Sequence, residues 1–262
     1  MFHIEVVFRY CRKPKEADVA DAVYSLLGDW FKNGQILDND WPVTYTKSNC
    51  RVVVSCPEKT SLSPRHANKY VLDSLAELRS HGLLKPELCV LGRGVESPTA
   101  DRCKQPGWYL LMTNYLTHES PLMCGEHYRP VPLYRVPHTY DADPSYWDIV
   151  CWEREWKCCD SLQMACGVGE RFATRQIADP NSSLAVRGRD LCRRIEKLAG
   201  VPTYYYLYRG NGRGMSAEQK RPCPVCGKQW VLSEPLHGLI DFKCDKCRLV
   251  SNIAWSLRSN TC

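Results

Sequence analysis

The sequence predicts an α+β protein in three consecutive parts: an N-terminal unit over residues 1–92, a mixed α/β middle region over 93–209 and a small C-terminal module over 215–262. Three observations lead there. The first 92 residues switch between strand-like and helical hydrophobic spacing in the order strand, helix, strand, strand, helix, strand. The run Gly210-Asn211-Gly212-Arg213-Gly214 offers backbone freedom and little to bury, as a linker does. Two Cys-x-x-Cys pairs follow it.

In the N-terminal unit, residues 2–9 are rich in aromatic and β-branched types and read as a strand. Val19, Val23, Leu26, Leu27 and Trp30 then recur at helical spacing, with Asn33-Gly34 as a stop. Val43–Thr46 and Arg51–Ser55 read as strands joined by the turn residues Lys47-Ser48-Asn49. A second helix is expected from Ser63-Pro64 to Gly82, with Ala67, Tyr70, Val71, Leu75 and Leu78 on one face. Leu88–Leu91 closes the unit as a strand. That order is the split βαβ pattern of a ferredoxin-like domain, an architecture that hosts many activities and names none.

Gly92–Gln105 reads as a loop, and Gly107–Leu116 and Val131–Val136 read as strands. Asp143 to Met164, with Trp147, Trp152 and Trp156, is compatible with a helix. After Asp179-Pro180, the caps Ser182 and Ser183 open another, with Leu184, Leu191, Ile195 and Leu198 on one side and Gly200 at its end. Thr203–Tyr208 is a tyrosine-rich strand.

The chain has 262 residues, 44% hydrophobic and 24% charged, within the globular range. No apolar run approaches the roughly 20 residues needed to cross a bilayer, and the N-terminus has no signal-peptide core, so a cytoplasmic address is expected and a membrane partner is not. In a reducing compartment the 16 cysteines read as thiols and metal ligands, most of them buried as small hydrophobes. The net charge is +6, and residues 201–262 hold nine Lys or Arg against four Asp or Glu, which concentrates the basic excess in the C-terminal module.

Cys223-Pro224-Val225-Cys226, seventeen intervening residues and Cys244-Asp245-Lys246-Cys247 have the two-turn spacing of a zinc ribbon. Two residues between thiols let a tight turn aim both sulfurs at one ion, and the span between pairs is long enough for a hairpin. With four protein ligands no coordination position is left for water or substrate, so one Zn²⁺ held by Cys223, Cys226, Cys244 and Cys247 is expected to be structural. Pro222-Cys223-Pro224-Val225-Cys226 also matches half of a zinc-deaminase signature, whose His-x-Glu partner would have to be the distant His3-Ile4-Glu5. Cys244 and Cys247 are nearer in the chain and complete a set.

Lys220, Arg221, Lys228, Lys243, Lys246 and Arg248 surround these turns, interleaved with Trp230, Phe242 and Trp255. Cations for phosphates and rings for bases are what single-strand binders combine, which makes Lys228, Lys243, Lys246 and Arg248 candidate contacts to RNA or DNA. In so small a module the rings also serve as its core. Tyr204, Tyr205, Tyr206, Tyr208 and Arg209 could likewise stack on bases, and a half-exposed sheet strand explains them equally well.

Cys103, Cys124 and His127 form a second candidate ligand set, with Cys89 or water as the fourth ligand. Cys158-Cys159-Asp160, near Cys151 and Cys166, has no fixed histidine base beside it and reads as buried cysteine. No phosphate-cradling glycine loop, HExxH or Gly-x-Ser-x-Gly elbow is present; a binding role is the first expectation, and an enzyme using a Cys103/Cys124/His127 metal or a Cys159 nucleophile is a third reading.

Thr113–Leu122, Val131–Arg135, Asp160–Met164, Pro202–Arg209 and Glu234–Gly238 through Cys244–Arg248 resemble an uncharacterised bacterial family described as Zn-ribbon-containing and nucleic-acid-binding. The resemblance is strongest from residue 107 onward. It implies a zinc-ribbon protein that binds nucleic acid or a nucleoprotein. It also implies that relatives place a second cysteine where this chain has His127, an exchange that keeps a ligand. The alternative is an immunity-like protein-interaction role, in which the N-terminal region masks a protein partner and the ribbon only stabilises.

Overall fold

The computed structural model describes residues 1–12, 15–95, 97–139 and 143–258. In chain order the elements are β1 (Phe2–Arg9), α1 (Glu16–Lys32), β2 (Thr44–Tyr45), β3 (Asn49–Cys56), α2 (Lys69–Glu77) and β4 (Glu87–Arg93), then β5 (Tyr109–Leu111), β6 (Leu122–Cys124) and β7 (Arg129–Pro130). They continue as α3 (Trp147–Met164), α4 (Glu170–Ala178), α5 (Ser183–Ala199), β8 (Thr203–Leu207), α6 (Met215–Gln219), β9 (Val231–Leu236), β10 (Ile240–Cys244), β11 (Leu249–Ser251) and α7 (Trp255–Arg258). The protein is a mixed α+β chain of two compact units. The first holds residues 1–102, 118–120 and 129–150, and the second holds 103–117, 121–128 and 151–262.

In the first unit a sheet of order β2-β3-β1-β4 has every neighbouring pair antiparallel. Each helical crossover therefore joins two parallel strands with one antiparallel strand between them: β3 lies between β1 and β2, and β1 between β3 and β4. Ile4, Val6, Phe8, Val52 and Val54 share a core with Val19, Val23, Leu26, Leu27 and Trp30 of α1, the five positions expected from its periodicity. Gly34 ends that helix at φ +67, a conformation glycine adopts without a Cβ penalty.

The helix expected from Ser63 to Gly82 is divided. Pro64–His66 form a 3₁₀ turn, Ala67 is extended, and α2 begins only after Asn68, whose side chain accepts from Val71 N at 3.0 Å. An N-cap residue must itself be non-helical, so Asn68 breaks what hydrophobic spacing alone would continue. Val131–Val136, expected as a strand, holds a 3₁₀ turn at Leu133–Arg135; Pro130 and Pro132, lacking N–H groups, interrupt a ladder there.

The second unit takes α3 from Cys151 onward. Its sheet runs β6-β5-β8-β11-β10-β9, with β5–β8 and β8–β11 parallel and the other pairs antiparallel. All five residues of β8 are buried because it is central and covered on both faces. Tyr204, Tyr205 and Tyr206 are thus interior rings, unavailable for stacking on bases. The cysteine-bearing hairpin does not stand apart: Leu249, Val250 and Ser251 of β11 pair with Tyr205, Tyr206 and Leu207. Ser182 caps α5 by accepting from Ala185 N at 3.1 Å, and Gly200 closes it at φ +68, both as expected. The strand expected over Gly107–Leu116 contracts to β5, and α4 was not anticipated.

Gly188 lies within α5, where alanine ordinarily stabilises by about 1 kcal/mol. Here a Cβ would collide with the rings of Tyr205 and Trp152. We expect Gly188→Ala to destabilise by about 1–3 kcal/mol in chemical denaturation, the overpacking sign. A gain in stability would show that the rings yield freely.

Candidate metal centre

The first cysteine turn is built by backbone geometry. Cys223 N donates to Lys228 O at 2.8 Å, Gly227 N donates to Cys223 O at 2.9 Å, and Gly227 takes φ +70. The second turn leads out of β10, and Arg248 fills the position equivalent to Gly227 at φ +51. A non-glycine residue is uncommon there, and Arg248 is held by three anchors. Its guanidinium pairs with both oxygens of Glu196 at the end of α5 (Nη2–Oε1 2.8 Å, Nε–Oε2 2.9 Å), donates to Asp245 O at 2.7 Å and sits 5.4 Å from the Tyr204 ring centroid.

One ligand atom from each of Cys223, Cys226, Cys244 and Cys247 lies within 4.8 Å of the others, and Cys226 Sγ is 3.6 Å from Cys244 Sγ. Cys223 and Cys244 are buried. The environment differentiates the thiols. The Lys228 backbone N–H pulls Cys226 down to about 7, while burial pushes Cys244 and Cys247 up. Four sulfurs so close cannot all ionise without a cation between them, and a thiol-rich donor set fits a soft divalent metal. Cys223, Cys226, Cys244 and Cys247 form one group that could hold a metal ion.

The candidate phosphate contacts divide. Lys243 pairs with Asp245 at 2.8 Å and lies 4.5 Å from the Tyr204 ring centroid. Arg248 is engaged as described, whereas Lys228 and Lys246 are exposed. Trp230 and Phe242 are 3% and 0% exposed and form the core of the hairpin; Trp255 is 42% exposed. Arg221 lies against Trp230 and Phe242 and pairs with the buried Glu218, which also accepts from Arg209. Sequence reasoning missed Glu196, Tyr204 and Asp245 as anchors of the second turn. The signal available was the non-glycine residue after Cys247, which needs something to hold it.

In the second unit Cys103, Cys124 and His127 also bring one ligand atom each within 4.8 Å of the others. Cys89 is exposed on β4 of the first unit, where it faces Glu5. His3 and Glu5, the far half of a deaminase signature, are engaged with Ser55 and Arg51 on neighbouring β3. Cys151, Cys158 and Cys159 line a cavity of about 460 Å³ beside Phe172 and Leu184; burial raises the Cys159 thiol, the reverse of an activated nucleophile.

Fold and geometry together define a mixed α+β protein with a compact four-thiol centre. Three family models match the chain, each described as a domain of unknown function: DUF8589 over residues 1–92, DUF2310 over 103–208 and DUF8594 over 212–257. An uncharacterized protein of Haemophilus influenzae is 34% identical over 265 residues, covering 98% of this chain and 99% of that protein. A second uncharacterized protein of that organism is 41% identical over 155 residues, 58% of this chain and 73% of that protein. The chain belongs to the uncharacterised family that the first of these proteins represents. No solved structure matches it significantly.

The thiol ordering is testable. In chelator-treated protein, iodoacetamide should modify Cys226 ahead of Cys244 and Cys247, because its thiolate is populated from about pH 7 upward and theirs is not. Peptide mapping at pH 7 reads this directly; equal labelling of the three would refute the assigned environments.

Proposed function

We propose that this is a cytosolic zinc-ribbon protein that binds nucleic acid through the surface around its cysteine turns. The metal is Zn²⁺: tetrahedral Zn–S bonds of about 2.3 Å give sulfur separations of about 3.8 Å, close to the 3.6 Å between Cys226 and Cys244. All four positions are filled by protein, so the ion stabilises the hairpin and does no chemistry. Residues 1–92 are read as a ferredoxin-like domain on the strand order β2-β3-β1-β4, residues 93–209 as the middle region and 215–262 as the ribbon.

One observation favours nucleic acid above all. Among the described residues of the C-terminal region 201–262, Glu218, Asp241 and Asp245 are paired with Arg209, Arg221, Arg258 and Lys243, leaving Arg213, Lys220, Lys228 and Lys246 exposed against one further exposed carboxylate, Glu234. Of the four contacts expected from sequence, Lys228 and Lys246 are read as phosphate ligands, and Lys243 and Arg248 as the braces of the second turn. A polyanion is the partner such a surface suits.

A second reading rests on the first unit. β4 is an edge strand whose Leu88, Val90 and Leu91 are 46%, 43% and 55% exposed. An apolar open edge suits a protein partner, as in a masking or immunity-like role.

Fluorescence anisotropy of nuclease-treated full-length protein with single-stranded RNA and DNA decides between them. Binding should weaken with salt, and Lys228→Glu/Lys246→Glu should flatten the log–log salt slope by about 0.7 for each phosphate that is no longer neutralised. Absence of binding at low salt, with one stoichiometric protein retained through nuclease treatment, would favour the second reading.

A further inference from the structure

The segment Cys124-Gly125-Glu126-His127-Tyr128 repeats the backbone of the four-thiol turns. Tyr128 N donates to Cys124 O at 2.9 Å, as Gly227 N does to Cys223 O, and Tyr128 takes φ +52, beside +70 at Gly227 and +51 at Arg248. In each turn the left-handed residue is the one after the second ligand. A tyrosine there is uncommon and is held in place: its ring stacks on His237 with centroids 5.2 Å apart, and its hydroxyl donates to Met112 Sδ at 3.4 Å. The turn is further fixed by His237, whose Nε2 lies 2.7 Å from Gly125 O, and by Trp108, against which any Cβ at residue 125 would collide.

We infer that this turn is a third knuckle and, with Cys103, holds a second Zn²⁺ through Cys103 Sγ, Cys124 Sγ and His127 Nδ1. The spacing fits the ion. Bonds of about 2.3 Å to sulfur and about 2.05 Å to nitrogen at a tetrahedral angle put the two atoms about 3.6 Å apart. Cys124 Sγ and His127 Nδ1 are 3.6 Å apart. Cys124 Sγ lies 3.2 Å from Glu126 Oε2, and Glu126 Oε1 is tied to Gly107 N at 2.7 Å. The metal takes the place of the thiol proton, since ligating cysteine is deprotonated. A water or other oxygen donor completes the tetrahedron. Unlike the four-thiol centre, this one has a mixed donor set and a replaceable fourth position.

Native mass measurement of full-length protein purified without chelator counts the ions. Two zinc ions per chain are expected, and one in Cys124→Ser/His127→Ala; the cobalt-substituted form of that variant should keep the spectrum of a four-thiolate site. One ion in the wild type, or two that persist in the variant, overturns the assignment. Should the double variant not fold, His127→Cys replaces it. That variant must keep two ions and gain thiolate-to-cobalt charge-transfer intensity, and failure on either count also overturns the assignment. Loss of the ion from Cys223→Ser/Cys226→Ser with the Cys124 component retained shows that the two centres are independent, so one can fail without the other.

Discussion

Each tight turn that groups candidate ligands in the second unit places a left-handed residue directly after the second of them, and that residue has to be accommodated. Glycine fits at 227 at no steric cost. Arg248 and Tyr128 do not, and a bulky residue at positive φ costs on the order of 1–3 kcal/mol unless its surroundings hold it. Those surroundings come from distant sequence: Glu196 and Tyr204 for Arg248, His237 and Met112 for Tyr128. Turn geometry and tertiary packing are therefore one problem here, solved together when β11 lies against β8.

That coupling explains why the hairpin belongs to the same sheet as the middle region. A free-standing ribbon depends on its metal for most of its stability, having little else to bury. Here β11 borrows the covered strand β8, Arg221 fills the space over Trp230 and Phe242, and Asn252 bonds Arg209 and Tyr206. The glycine run 210–214 joins parts that share hydrogen bonds, and its freedom serves close approach: a Cβ on Gly212 would press on Ala254 and Leu257.

Much of this was legible in the chain. The alternation in residues 1–92 predicts the observed element order, and the core face of α1 is read correctly because five apolar residues at helical spacing have one plausible use. The four thiols were legible because their spacing leaves few alternatives. What was not legible depends on non-local partners. Tyr204–Tyr206 looked half exposed because a pattern cannot reveal that a strand is central. Asn68 looked like a helical residue until its side chain was seen to cap Val71. Lys243 and Arg248 looked equivalent to Lys228 and Lys246, since charge in sequence says nothing of which carboxylate stands opposite.

The division among those cations bears on how a surface for nucleic acid could arise on this scaffold. A cation that braces a turn is held by its carboxylate and presents little field outward, because paired charges at about 3 Å cancel at the distance of a phosphate. Arg248 and Lys243 pair with Glu196 and Asp245, and Arg221 with Glu218, so their charge is consumed in holding the second turn and the hairpin core. The outward field then comes from exposed cations, among them Lys228 and Lys246, each one or two positions from a cysteine of the group. Their backbones are fixed by the turns while their side chains reach into solvent. Four thiolates on one divalent ion would leave a local charge of about −2, which exposed lysines beside it would offset before they could attract a polyanion. With such an ion in place, the lysines next to the turns would first neutralise the centre they flank, and only what remains would favour an anionic partner.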